Sequence, residues 1–454
     1  AGRACWDVRH RLEQPAGGEW RPSPLCFQAG GRQAAGQPYP PLGKLTQAVR
    51  NLTGAEVMFS IWPAVSHHSS SHAALERLGC LGGRYVEVVL SLGSYYSDMR
   101  SASWKTCNDH VREKYLMPHF VRQGVRSFFL DETDGVNLVQ SGFHQACGPP
   151  ELCGRLWVNR WAALFSEGVQ AGGGTPTLLV RSAWLGTVRH GVVLWSSDTQ
   201  CSFEELQASP SIGLATSLSG IPWWTTDIGG FGGITGCKHA NMDPYMQELI
   251  VRWFQFGALC PVFRTHGCRR GPPAPLPEGV SRRCRFGLGF DSPRTGVVPD
   301  FLFLPPYDGS CAPAEIWSYG TLTDKAAFGR DAGRSVQDLL TKYVRLRQAL
   351  MPYILELARN VSSRGAITMR PLWYEFPGDE SLADANNEYD KDTYLFGPKY
   401  LVAPVLRQGA RSREVYLPRG AMWRSHWNKA EVFAGGQTIL VKAPLDYLPL
   451  FERI

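Results

Sequence analysis

The chain has 454 residues, 44% of them hydrophobic, and a formal net charge of +7. That much apolar side chain supplies a full core and excludes disorder of the whole chain, and no apolar run is long enough for a membrane-spanning helix. The basic residues are scattered except around Arg269, Arg270, Arg282, Arg283 and Arg285, with no interleaved aromatics. The charge therefore reads as solvated surface, and no nucleic acid is expected as a partner.

Along the chain, the runs 57–62, 125–130, 177–180, 191–195 and 262–264 are short, apolar and β-rich. Such continuous runs are the pattern of parallel strands covered by helices on both faces. Polar or charged residues stand in order at run ends: Asp131, Arg181, Asp198, Asp227 and His266. This is the layout of a (β/α)8 barrel, whose chemistry sits at the carboxyl ends of its strands. Amphipathic stretches over 45–52 and 201–217 lie between the runs, and the strongest helical periodicity covers 335–360. There Ser335 and Asp338 resemble a capping box, and Pro352 should kink the helix.

Residues 268–314 are rich in Pro, Gly and Arg with weak periodicity, which predicts an irregular insertion. From residue 366 the runs 394–398, 400–405, 414–418 and 438–441 alternate with turn residues and predict a small β-sandwich. The expected organisation is a catalytic barrel over 1–365 and a sandwich over 366–454.

The 12 cysteines show no metal-ligand spacing, and the close pairs Cys147/Cys153 and Cys260/Cys268 are not CxxC motifs. They read as ordinary core or surface thiols, and no metal is expected. Asn51-Leu52-Thr53 and Asn360-Val361-Ser362 fit glycosylation sequons and admit a secretory route. No signal-peptide pattern opens the chain, and the compartment is left open. The 15 tryptophans suit either a packed core or flat platforms for sugars.

Several blocks together resemble glycoside hydrolase family 31. Ile221-Pro222-Trp223-Trp224-Thr225-Thr226-Asp227-Ile228-Gly229-Gly230-Phe231 is similar to its most recognisable signature. Arg252-Trp253-Phe254-Gln255-Phe256-Gly257-Ala258, followed by Phe263-Arg264-Thr265-His266-Gly267, resembles its next block. Arg181-Ser182-Ala183-Trp184 and Val193-Leu194-Trp195-Ser196-Ser197-Asp198 resemble the region of its acid/base strand. Met369-Arg370-Pro371-Leu372 resembles the start of the sandwich that follows the barrel.

The resemblance implies roles. Asp131 falls at the nucleophile position and Asp198 at the general acid/base. Arg181, Asp227, Arg264 and His266 match residues that hold sugar hydroxyls, while Trp62, Trp195 and Phe231 match aromatic pocket walls. Asp7 matches a hydroxyl-binding Asp after the second strand, across an insertion between Asp7 and Trp20. The implied activity is cleavage of a terminal α-linked sugar from an oligosaccharide or glycoside without a cofactor. Leu130-Asp131-Glu132-Thr133 resembles the α-xylosidase branch more than the α-glucosidases. Two departures stand out: Asp134 replaces the usual Glu three residues after the nucleophile, and the barrel starts at its second strand, with its first strand missing.

The chemistry explains the residue types. Retaining cleavage needs two carboxyl groups about 5–5.5 Å apart, one ionised to attack the anomeric carbon and one bearing a proton for the leaving oxygen. Taken singly, an Asp after a strand is usually a turn former, Arg181 a surface ion pair and His266 a satisfied loop histidine. The ordered set is what points to catalysis. Two alternatives are an α-glucosidase or transglucosylase of the same family and a catalytically inactive carbohydrate-binding relative. A phosphate-binding cofactor barrel ranks last, because no glycine-rich phosphate loop is found and the Gly-rich run 229–233 follows the sugar-binding motif. Oligomeric state is not legible.

Overall fold

The computed structural model describes residues 9–10, 42–66, 71–85, 93–96, 104–131, 133, 154–232, 237–266, 268–270, 311–313, 316–383 and 389–454. They form two compact units, one of the described residues up to Leu194 and one of those from Trp195 onward.

The first unit contains β1 (Arg9–His10), β2 (Met58–Ile61), β3 (Ala64–Ser66), β4 (Leu81–Tyr85), β5 (Gly93–Tyr96), β6 (Ser127–Leu130), β7 (Thr177–Val180) and most of β8 (Val192–Trp195). Strands β1, β2, β6, β7 and β8 pair in that order and all in parallel. Strand β5 pairs antiparallel with both β3 and β4. Parallel neighbours need crossovers, and the helix Trp157–Ala171 supplies one between β6 and β7. Its Trp157, Trp161, Leu164, Phe165 and Val169 recur at helical spacing and are all buried. Phe165 packs on Phe128 of β6, and Phe128 on Phe120, with ring centroids at 4.9 and 5.9 Å. Gly168 faces Leu116 so closely that a Cβ there would lie 2.5 Å from a Leu116 methyl. A disulfide between Cys80 and Cys107, with Cα atoms 5.7 Å apart, closes a loop in the same core.

The second unit begins with the end of β8 and holds β9 (Trp224–Thr225), where the Ser196 N–H donates to the Thr225 carbonyl at 3.1 Å. The helix Phe203–Leu218 is capped by Ser202, whose Oγ accepts from the Glu205 N–H at 3.3 Å. The helix Pro244–Ala258 is capped by Asp243, with Pro244 in its first turn. Strands β10 (Cys268–Arg270) and β11 (Cys311–Pro313) pair antiparallel and bracket the expected insertion, whose interior lies outside the described residues.

A sandwich follows, built from β12 (Met369–Arg370), β13 (Tyr394–Phe396), β14 (Tyr400–Val402), β15 (Ser412–Leu417), β16 (Met422–Ser425), β17 (Val432–Ala434), β18 (Gln437–Lys442) and β19 (Leu450–Arg453). One sheet has the order β12-β13-β14-β19-β16-β17, and β15 pairs with β18 beside it. Leu395, Leu401, Val415, Leu417, Trp423 and Phe451 fill its core.

Four expectations change. The run 262–264 is not a strand; the Val262 N–H donates to the Trp224 carbonyl, and no ladder follows. The helix expected over 335–360 is two helices, Val336–Ala349 and Met351–Arg364, with Pro352 in the first turn of the second. A proline lacks the N–H that would continue the first helix, so it starts a new one instead of kinking the old. The Ser335 side chain makes no cap bond, although the Val336 N–H is taken up by the Gly320 carbonyl. Finally, Cys80, Cys107, Cys201 and Cys237 are paired in two disulfides rather than free, because pairing was decided by the fold and not by spacing. Cys260 is a buried free thiol, which burial pushes well above the usual thiol range.

Arg252, wholly buried in the helix Pro244–Ala258, ties that helix to the end of the chain. Its Nη1 donates to the carbonyls of Pro444 and Tyr447 and to Gln255 Oε1, and its Nη2 to the carbonyls of Ala410 and Ala443 at 3.0 and 2.9 Å. Burial lowers its pKa to about 10, with Glu248 opposing the shift, so the guanidinium stays charged at neutral pH. Arg252→Met strands these acceptors and should lower unfolding stability by about 3–5 kcal/mol in urea titrations. Arg252→Lys should recover only part of it, since an ammonium cannot reproduce the fork. Cys80→Ser/Cys107→Ser, opening a loop with a sequence separation of 27, should cost about 3 kcal/mol by the same measurement.

Candidate active site

The first unit places three candidate residues at the carboxyl ends of three adjacent strands. Trp62, Asp131 and Arg181 come directly after β2, β6 and β7. Backbone pairing continues past the strands: the Asp131 N–H donates to the Ile61 carbonyl and the Arg181 N–H to the Leu130 carbonyl, both at 3.2 Å. That brings the three side chains level on one edge. Trp62 Nε1 donates to Asp131 Oδ2 at 3.0 Å, and Arg181 Nη1 donates to Oδ1 at 3.1 Å. Each carboxylate oxygen thus accepts from one of these two donors, which fixes the plane of the carboxylate. Asp131 is buried, as is Trp62. Trp62, expected as a pocket wall, also orients the carboxylate.

In the second unit Asp198 sits exposed on the turn after β8. The residue before it, Ser197, has φ 63°, the one positive φ outside glycine among the described residues. Bonds on either side hold this turn. Ser196 Oγ donates to Thr226 Oγ1 at 3.0 Å, and the Phe231 and Gly232 N–H groups both donate to the Thr199 carbonyl. Cys201 is joined to Cys237, with Cα atoms 5.3 Å apart. Gly230 passes so near that a Cβ would lie 2.6 Å from the Gln200 carbonyl oxygen, which accounts for glycine there. Sequence reading missed the Ser196–Thr226 contact and the disulfide, since neither has a local spacing signal.

The same unit pairs Arg264 with Asp227, which is fully buried. Asp227 Oδ2 and Arg264 Nε have no hydrogen-bond partner among the described residues. Buried polar atoms left so are costly unless something else satisfies them. Phe231 and His266 face each other with ring centroids 4.7 Å apart, and both are buried, as is Trp195. The structure therefore joins Trp62, Asp131 and Arg181 in one group, Asp227 with Arg264 in another, and Phe231 with His266 in a third. Asp7, Glu132 and Asp134 lie outside the described residues. No group of three or more His, Cys, Asp or Glu suited to a metal occurs among the described residues.

Residues 33–283 match the glycosyl hydrolases family 31 TIM-barrel domain, and residues 365–454 match the family's C-terminal domain. Alpha-xylosidase A of Aspergillus niger is 27% identical over 91% of this chain and 55% of its own length. An alpha-xylosidase of Saccharolobus solfataricus is 28% identical over 88% of this chain and 45% of its own. The crystal structure of a family 31 alpha-xylosidase from a soil metagenome, complexed with xylose, superposes with a TM-score of 0.70 at 30% identity, covering 90% of this chain and 54% of that one. The chain thus spans about half the length of the relatives it matches. With a TIM-barrel domain and the family's C-terminal domain both matched in order, the chain belongs to glycoside hydrolase family 31.

Proposed function

We propose that this chain carries the catalytic part of a retaining exo-α-glycosidase, with terminal α-xylosides as first-choice substrates. Asp131 is the nucleophile and Asp198 the acid/base. The observation that carries the reading is the Asp131 carboxylate at a strand end, gripped by Trp62 Nε1 on one oxygen and by Arg181 Nη1 on the other. The α-xyloside preference is supported by the names of the relatives and by the Leu130-Asp131-Glu132-Thr133 block.

In the first step an Asp131 oxygen forms a bond to the anomeric carbon while the glycosidic C–O bond breaks. Asp198 gives its proton to the departing oxygen, leaving a glycosyl ester and a free alcohol. In the second, water attacks the same carbon, Asp198 takes a proton from it, and the ester bond breaks to restore the Asp131 carboxylate. Two inversions give net retention. As the anomeric carbon takes on positive charge, Arg181 withdraws from neither step; it holds the carboxylate aimed and balances its charge. Asp227, Arg264 and His266 hold sugar hydroxyls, Trp195 and Phe231 wall the pocket, and Asp7 binds a further hydroxyl. The chemistry calls for no cofactor. The boundary between the catalytic barrel and the sandwich is placed at residues 365 and 366.

Release of nitrophenol from aryl α-xyloside and aryl α-glucoside tests this directly. The folded chain should release it, faster from the xyloside, and Asp131→Asn should release none. Proton NMR of a fresh reaction should show the α-anomer of the sugar first. Asp198→Ala should slow turnover by about 10²–10⁴-fold, and added azide should restore it by trapping an α-glycosyl azide. Sugar binding by a folded chain without any turnover would instead establish a catalytically inactive, carbohydrate-binding member of the family. A β-anomer as first product would rule out the covalent intermediate.

A further inference from the structure

The loop that follows β7 carries an aromatic residue with no part in the steps above. Trp184 is 42% exposed, whereas Trp62, Trp157 and Trp161 of the same unit are buried. Indole is too large and apolar to be left in water without effect, and an exposed one is informative when it is held still. The Trp184 backbone is held still. Its amide N–H donates to Thr187 Oγ1 at 2.8 Å, and its carbonyl accepts from the Thr187 N–H at 3.0 Å. Thr187 is buried and bonds Asn159 Oδ1, and Asn159 Nδ2 donates to the neighbouring Leu185 carbonyl at 2.7 Å. Asn159 belongs to the helix Trp157–Ala171, so the loop is clamped to a rigid element at two points.

The position is as telling as the rigidity. Trp184 is three residues beyond Arg181, the residue that grips Asp131. Three residues of chain span at most about 11 Å between Cα atoms, so Trp184 sits on the loop that opens at Arg181. Loops after the carboxyl ends of barrel strands line the substrate entrance. The Arg155 guanidinium lies over the indole, 5.5 Å from the ring centroid, and Arg155 is itself exposed. A flat apolar face beside a fork of N–H donors is the chemistry that recognises a neutral pyranose: C–H groups stack on the ring, and hydroxyls accept from the guanidinium.

We propose that Trp184, with Arg155 beside it, is the platform for the first sugar of the leaving group, which makes this loop a determinant of aglycone choice. The inference rests on the glycosidase reading of Asp131, and substrates with and without a leaving-group sugar separate the two. An α-glycosyl fluoride has no sugar in its leaving group; an α-linked disaccharide of the same glycone has one. Using the full chain, the ratio of kcat/KM for disaccharide over fluoride should fall about tenfold in Trp184→Ala, chiefly through a higher KM for the disaccharide. Trp184→Phe, which keeps an aromatic face, should restore most of that ratio. An unchanged ratio in Trp184→Ala, or an equal loss on both substrates, would overturn the platform while leaving the glycosidase reading standing. Wild-type chain that cleaves neither the fluoride nor the disaccharide would bring down the glycosidase reading and the platform with it.

Discussion

The two-donor grip on Asp131 is the constraint around which the first unit is arranged. A carboxylate at a strand end would ordinarily turn to water or cap the next helix. Here Trp62 Nε1 and Arg181 Nη1 each take one oxygen. That geometry needs β2, β6 and β7 to be neighbours in register, which they are: Ile61 faces Leu130 and Leu130 faces Val180. The register in turn depends on the apolar layer behind the sheet, where Phe128 is packed between Phe120 and Phe165. A slip by one residue would turn Phe128 and Leu130 to the opposite face and carry Asp131 away from both donors. Core packing and site geometry are therefore one requirement here.

The strands that carry this grip were legible because a buried parallel strand has no polar face to interrupt its apolar run. The runs 125–130 and 177–180 contain β6 and β7, and the residues that end them are those found at the sheet edge. Asp131 and Arg181 were legible in kind, a charge after an apolar run, but their bond to each other was not. It joins positions 50 residues apart and depends on which strands become neighbours. The role of Trp62 as a donor was hidden for the same reason. The run 262–264 reads as a strand from side chains alone, yet strand formation needs a partner ladder, and only a single bond to Trp224 forms. The cysteines were illegible because disulfide partners are set by three-dimensional proximity: Cys201 and Cys237 stand 36 positions apart, a spacing that matches no cysteine motif.

The second unit depends on guanidinium groups where the first depends on ring packing. Arg252 and Arg347 both leave the helical layer to bind backbone carbonyls. Arg252 reaches carbonyls in the chain from Ala410 to Tyr447, and Arg347 takes those of Ala258, Cys260 and Pro261. Loops that run through an interior carry carbonyls with no sheet or helix partner, and each one unsatisfied is costly. A forked cation satisfies several at once from a single side chain, at the cost of burying a charge. Arg347 also is drawn down to about 10 by that burial and stays charged at neutral pH. The block Arg252-Trp253-Phe254-Gln255, legible as a family motif, thus holds the segments before β15 and between β18 and β19, with Gln255 binding the Leu445 carbonyl.

The turn bearing Asp198 shows what such scaffolding permits. A left-handed serine costs of order 1–3 kcal/mol and persists only where its surroundings over-determine it. Those surroundings are present on both sides of Ser197. Ser196 is tied to Thr225 through its backbone and to Thr226 through its side chain, Thr199 accepts two N–H groups from 231–232, and Cys201 is bonded to Cys237. A relaxed serine would send the next residue in another direction, so the strained torsion and the aim of Asp198 are linked. The carboxylate itself is exposed while the backbone beneath it is fixed, an arrangement that suits the acid/base role proposed for it. The stability stored in the buried contacts around Thr199, Thr226 and Phe231 is what allows one exposed side chain to be held in place.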